Sequence, residues 1–190
     1  MKIRAILNCC PSKKLKQSFV YKKKPFQETN FGIKKYYRYY KKCTNCGHHF
    51  SYFKFNINKL YEEKYSQSTY GNMNNIRQKF YKITNFSLSK SDNKNRVFRC
   101  KKYLNGKRFL DVGAGMGVFP YELRKKVKNL NINLIEKDKN LYNFLKENFN
   151  KKKIKSILNF YLKKKYYHNY FDFISINKVL EHLEDPREII

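Results

Sequence analysis

The chain has 190 residues, 41% hydrophobic and 17% aromatic, and its 43 lysines and arginines against 14 acids give a net charge of +29. That length allows one ordinary domain plus a small one, and that apolar content can build a core, which excludes a disordered tail. No apolar run approaches the ~20 residues that span a bilayer and no secretory apolar region stands at the N-terminus, so a soluble, cytoplasmic protein is expected.

Residues 1–58 read as short strands and turns around cysteines, a small module of their own. Cys43-x-x-Cys46-Gly47 puts two thiols on a tight turn, where they can grip one side of a tetrahedral zinc ion. A full site needs a second pair, and the chain offers the adjacent Cys9 and Cys10, which cannot easily both reach one metal. Cys9, Cys10, Cys43 and Cys46 are the candidate ligands. His48 or His49 completing the set, a metal-free knuckle and a redox pair are the alternatives. Cys100 reads as an ordinary buried or half-buried thiol. Residues 59–104 read as a helical and loop connector, with 87–96, SLSKSDNKNR, its most loop-like part.

The next domain is expected over 105–190. LDVGAGMG at 110–117 is a strand end, an acid, and glycines at 113, 115 and 117 before a helix predicted from Val118 to Leu130. Glycine permits the sharp strand-to-helix turn and the close approach of a ligand. The dinucleotide pattern G-x-G-x-x-G would demand glycine where Val118 stands, which disfavours nicotinamide cofactors. A tight turn with no ligand is the plain alternative. Asp111 sits where it can fix the turn or accept hydrogen bonds from a ligand's amino group.

NINLIE at 131–136 reads as a second strand ending in an acid roughly 20 residues after the glycines, where α/β cofactor sites hold a ribose hydroxyl pair. Glu136 is the candidate, with Asp138 second to it, since an exposed EKDK run is ordinarily a solvated helix entrance. Tyr142, Phe144, Leu145 and Phe149 fall near helical spacing and read as core. FDFISINKVLEHLEDP at 171–186 reads as a short apolar strand, a polar turn and a helix start broken by Pro186.

In these three motifs, residues 105–190 resemble the class I S-adenosylmethionine-dependent methyltransferases. The resemblance implies a Rossmann-like, doubly wound α/β domain with S-adenosyl-L-methionine as cofactor. Asp111, Gly113, Ala114, Gly115 and Gly117 would line the amino-acid end of the cofactor, Glu136 would hold its ribose, and Asn177 would lie beside cofactor or acceptor. The adenine-contact position, within 154–160, shows no signature and stays unassigned. Glu181 and His182 follow the fourth strand; His182 is the candidate general base for a hydroxyl or acidic carbon, although in the family this pair is largely part of the helix entrance. Seven strands are usual in the family, and this chain stops after the helix following the fourth. The fold is therefore expected to be incomplete at the C-terminus, and the chain to be a fragment that is poorly soluble or self-associating alone.

Residues 36–55 with 60–71 resemble the zinc-ribbon module and connecting segment that precede this domain in many bacterial methyltransferases of sugar and surface-polysaccharide pathways. The implied partner is a small, sugar-like methyl acceptor. Charge offers a second reading. Residues 1–104 carry 25 Lys and Arg against 4 acids, and residues 105–190 carry 18 against 10. Such a balance favours phosphate backbones, and basic and aromatic residues interleave at 34–42 and 163–167 as in single-strand binders. Yet only 8 of the 43 basic residues are arginine, the side chain suited to bidentate phosphate contacts. Abundant Lys, Asn, Ile, Tyr and Phe also fit AT-rich codons. An RNA methyltransferase, a basic module on anionic lipid, and a non-catalytic zinc-ribbon binding module are the alternatives.

Overall fold

The computed structural model describes residues 14–26, 35–53, 69–149, 154–158 and 169–180. Cys9, Cys10, Glu181, His182 and Pro186 lie outside them. The chain divides into two compact units, residues 1–57 and 58–190.

In the first unit, β1 (Leu15–Tyr21), β2 (Arg38–Cys43) and β3 (His49–Phe53) form an antiparallel sheet in that order. The β2–β3 turn carries Cys43 and Cys46. It closes where the Gly47 N–H donates to the Cys43 carbonyl at 3.0 Å and the Cys43 N–H donates to the His48 carbonyl at 2.8 Å. Side chains alternate across a strand. One face stacks Tyr39 on Tyr52, ring centroids 4.8 Å apart and nearly parallel, with Tyr52 buried. The other gathers Phe19, Tyr21 and Tyr40, with the Arg38 guanidinium 5.0 Å from the Tyr40 ring centre.

The second unit opens with two helices. Asn72 caps α1 (Met73–Thr84) by accepting from the Asn75 N–H, and Ser91 caps α2 (Asp92–Cys100) by accepting from the Lys94 N–H. The loop-like stretch 87–96 thus holds a 3-10 turn, Leu88–Lys90, and the first half of a helix. Its polar composition misleads because α2 is amphipathic and buries only Val97 fully. Ile76, Phe80 and Val97 share one core with the sheet, so residues 69–104 supply packing surface as well as connection.

β4 (Arg108–Val112), α3 (Val118–Lys126), β5 (Asn131–Ile135), α4 (Lys139–Asn148), β6 (Ile154–Leu158) and β7 (Phe173–Ile176) follow. The helix expected to reach Leu130 ends at Lys126, since Val127 is extended and Asn129 turns left-handed just before β5. The sheet is parallel in the order β6-β5-β4-β7. The chain steps outward from β4 to β6 and then returns to the far side of β4 as β7, so the strand order reverses between β4 and β7. In open α/β sheets the crevice at the carboxyl ends beside such a reversal is where ligands bind.

One sheet face, with Phe109, Ile132 and Leu134, packs against Leu123 of α3, Phe144 and Leu145 of α4, and the α1 and α2 residues. Leu110, Val112 and Ile135 point the other way into a second cluster with Phe171, Ile176 and Val179. Burying each such large side chain contributes about 1.5–3 kcal/mol, and a parallel sheet wants both faces covered. At the opposite end from the reversal crevice, Asp172 Oδ2 accepts from the Arg108 backbone N–H at 2.7 Å and from its Nε at 3.2 Å. These contacts set the β4/β7 register, and the Arg108 guanidinium holds the Asp172 carboxyl below the usual carboxylate range.

Candidate functional site

The glycine loop sits at the carboxyl end of β4, tied to the end of β5. The N–H groups of Gly113 and Ala114 both donate to the Ile135 carbonyl, at 2.9 and 3.0 Å, and the Gly117 N–H donates to Ala114. The three glycines answer three different demands. A Cβ on Gly113 would stand 2.4 Å from Cγ2 of Val179, so that glycine lets the segment after β7 close against the loop. A Cβ on Gly117 would stand 2.6 Å from both Leu145 and Phe149, so that one lets α4 close. Gly115 has left-handed backbone (φ +59°) and nothing within 4 Å of its Cβ position, so its bare face opens onto free space. That is the arrangement a ligand lying along the backbone requires.

Glu136 stands at the end of β5 and is buried. Its Oε2 accepts from the Gly115 N–H at 2.7 Å and its Oε1 from the Asp138 N–H at 2.9 Å. Burial pushes its carboxyl up to about 7, aided by the Asp138 charge and opposed by the backbone donors. Asp138 itself caps α4, its Oδ1 accepting from the N–H groups of Asn140 and Leu141. Of the two acids weighed for the ribose, Asp138 is therefore engaged as a helix cap.

Asp111, on β4, is also buried, and burial pushes its carboxyl up to about 6. The Ser175 hydroxyl on β7, paired with Asp111 across the sheet, and the Arg96 charge pull it the other way. Arg96 Nη2 donates to Ser175 Oγ at 2.9 Å. Neither Arg96 nor Ser175 was singled out from the sequence. The available signals were a lone polar residue inside the apolar strand FISI and one of few arginines in a lysine-rich chain. Asn177 follows β7, is exposed, and lines a cavity of about 300 Å³ with Arg96, Phe119 and Ser175. The crevice thus brings together the glycine loop, Asp111, Glu136 and the end of β7, while His182 lies outside the described residues.

In the first unit Cys43 is buried and Cys46 exposed. His48 packs edge-on against Phe50 and His49 stacks on Phe19. Among the described residues no group of three or more side chains able to hold a metal comes together. Nor is any described helix long and apolar enough to cross a membrane.

The chain is similar in part to several solved structures. It is similar to a SAM-dependent methyltransferase from Aquifex aeolicus at 23% identity and a TM-score of 0.37, over 59% of this chain and 65% of that one. It is similar to the plantazolicin methyltransferase BpumL, solved in complex with SAH, at 14% identity and a TM-score of 0.36, over 60% of this chain and 55% of that one. The chain thus spans less than two thirds of either structure. No curated protein matches it. A family model described as a methyltransferase domain matches residues 77–190, from within α1 to the last residue. With well over half of its length matched, the chain belongs to the methyltransferase domain family.

Proposed function

We propose that residues 58–190 bind S-adenosyl-L-methionine across the carboxyl ends of β4 and β5 and transfer its methyl group to a small molecule, a sugar or polysaccharide precursor. The observation that carries this reading is the Gly115–Glu136 hydrogen bond at the reversal crevice. It joins an open backbone turn to a carboxylate on the adjacent strand. A carboxylate offers about four lone-pair positions. Two are taken by backbone N–H groups, and the remainder suit a ribose diol. Asp111 suits the ammonium group at the cofactor's other end, and Gly113, Ala114 and Gly117 shape the loop between.

When bound, the sulfonium supplies a methyl group already activated for transfer. The chain's own work is then to align an acceptor atom and exclude water. A hydroxyl acceptor must lose its proton, and His182 is our candidate base. His182→Ala should slow turnover at saturating acceptor, and unchanged turnover removes it from the mechanism. The sugar assignment rests on the likeness of residues 36–55 and 60–71 to modules of that setting. Calorimetry with S-adenosylhomocysteine tests the core of the reading: Glu136→Ala should weaken binding at least about tenfold, the loss of one charge-assisted hydrogen bond. Equal affinity in the variant, or no binding by the wild type, sinks it. Hydroxyl donors favour the ionised carboxylate, so affinity should also fall as pH drops below about 7. Mass spectrometry of sugar nucleotides against RNA then identifies the methylated class.

The aromatic and basic face of the first unit favours a second reading, methylation of RNA or binding of nucleic acid without catalysis. Residues 1–57 hold 14 lysines and arginines and a single acid, Glu28, and Phe19, Tyr21 and Tyr40 share the face with Arg38. Affinity for single-stranded RNA that falls steeply with salt and is lost in Tyr40→Ala would promote this reading. On either reading zinc is held by Cys43 and Cys46 with Cys9 and Cys10. Native mass spectrometry decides it: one zinc per chain supports the site, and none removes it.

A further inference from the structure

We propose that Arg96, acting through Ser175, is a positioning residue for Asp111, holding that buried carboxylate in place and anionic for the cofactor's ammonium group. The inference rests on the cofactor reading above.

The geometry is a relay across three elements. Asp111 on β4 and Ser175 on β7 are register partners, so their side chains leave the same sheet face. Arg96 reaches down from α2 and donates from Nη2 to Ser175 Oγ at 2.9 Å. A hydroxyl has one proton and two lone pairs. With one lone pair accepting from arginine, the Ser175 proton is available to turn toward the Asp111 carboxylate, its register partner across the β4/β7 ladder. The guanidinium lies 3.9 Å from the centre of the Phe119 ring, on the first turn of α3, and the stacking fixes its plane. Asp111's partner on β5 is the apolar Leu134, and α3 presents the apolar Phe119. Arg96 is the charged side chain that acts on Asp111 among the described residues.

An inserted hydroxyl achieves what a direct ion pair would not. A buried carboxylate with no opposite charge nearby takes up a proton and ceases to be an acceptor. A guanidinium bound directly and bidentately would occupy both oxygens. The relay supplies positive charge while using one hydrogen bond, so the remaining lone pairs are left for an incoming ammonium.

The test uses the full chain. Carboxyl carbon NMR follows Asp111, its resonance identified by Asp111→Asn, and calorimetry follows S-adenosylhomocysteine between pH 5.5 and 8.5. Ser175→Ala should raise the Asp111 midpoint by about one pH unit and weaken binding about threefold at pH 6.5, growing toward the tenfold limit that one unit represents as pH falls to 5.5. Ser175→Thr, which restores the hydroxyl, should restore both. Arg96→Lys keeps a charge without the planar fork and should move the midpoint in the same direction as Ser175→Ala. If Ser175→Ala does not fold, the threonine and lysine variants carry the test. An Asp111 midpoint that stays at the wild-type value in the variants, whatever happens to their melting temperature, makes the relay merely structural and overturns the proposal. Absence of binding by the wild type sinks the cofactor reading and the proposal together, whereas wild-type binding with an unmoved midpoint overturns the proposal alone.

Discussion

The two sheets use polar and aromatic side chains in opposite ways. Around β4 and β5 almost every side chain is buried, and the polar ones buried among them have polar partners: Asp111 stands beside Ser175 across the ladder, Asn133 donates to the Phe109 carbonyl, Glu136 accepts from Gly115, and Asp138 caps the start of α4. In the N-terminal sheet only Cys43 and Tyr52 are buried among the described residues, and rings stack pairwise at the surface. A buried polar group left unpaired costs about 1–3 kcal/mol, so buried acids on β4 and at the carboxyl end of β5 persist only where their hydrogen bonding is satisfied. That contrast marks the parallel sheet as the place where chemistry has been built, and the antiparallel one as held by its ladder and by rings.

Removing one ring from the core under the parallel sheet should separate the two units most widely. Phe144 is 1% exposed and meets Phe80 edge-on, centroids 5.5 Å apart. Phe144→Ala should cost about 3–5 kcal/mol by denaturant unfolding, the transfer loss plus the cavity left behind. A loss under about 1 kcal/mol would mean that α4 is not part of the core.

The glycines give the next largest effect and sharpen the comparison within a single loop. Gly117→Ala places a methyl against Leu145 and Phe149 in a left-handed backbone. The conformation costs roughly 1–2 kcal/mol and overpacking roughly 1–3, so a loss of about 2–5 kcal/mol is expected. Gly115→Ala meets no neighbour and should cost only the roughly 1–2 kcal/mol of the backbone term, yet abolish S-adenosylhomocysteine binding. Reversal of that order, with Gly115 the costlier site for stability, would contradict the open face assigned to it.

How much of this was legible follows the same division. The loop at 110–117 could be read because a strand must turn into a helix within a few residues and only glycine satisfies that backbone, whatever surrounds it. Glu136 could be read because parallel strands in register bring the end of β5 beside the end of β4. What each glycine does could not be read, since it depends on Val179 and Leu145 arriving from elsewhere in the chain. The Arg96–Ser175–Asp111 relay was illegible for that reason: 79 residues separate Arg96 from Ser175, and no local pattern announces the contact. The helix at 92–100 was missed because its cap, Ser91, and its polar outer face look like loop when the single buried Val97 is not known. In the N-terminal unit the Cys43–Cys46 turn was legible, but a turn does not say which residues face it.

Acidity should distinguish the networked sheet from the surface one by a smaller margin. Asp111 and Glu136 titrate near about 6 and about 7 in the folded protein, against ordinary values of 3.8 and 4.5. A carboxyl whose folded value is raised contributes stability that is complete below its unfolded value and is lost as pH rises through the folded one. Unfolding free energy attributable to these groups should therefore fall between about pH 4 and pH 8, with Glu136 responsible for on the order of 3 kcal/mol. Glu136→Gln should flatten that part of the slope. An unchanged slope in the variant would show that Glu136 does not titrate in this range.

The smallest effect is expected at Tyr21, and it tests the other half of the contrast. Tyr21 is 42% exposed, meets Phe19 and Tyr40 edge-on at 5.9 and 6.2 Å, and lies in the last pair of the β1–β2 ladder, opposite Arg38. Aromatic pairs on a sheet contribute about 0.2–1 kcal/mol, and much of this ring's area is already in water. Tyr21→Ala should therefore cost less than about 1 kcal/mol in an unfolding measurement that reports on the N-terminal unit. It should leave S-adenosylhomocysteine affinity unchanged, because no residue assigned to that ligand lies in this unit. A loss as large as that of Phe144→Ala would mean that the aromatic face is covered and serves as core, and the division between a surface sheet and a buried one would fail.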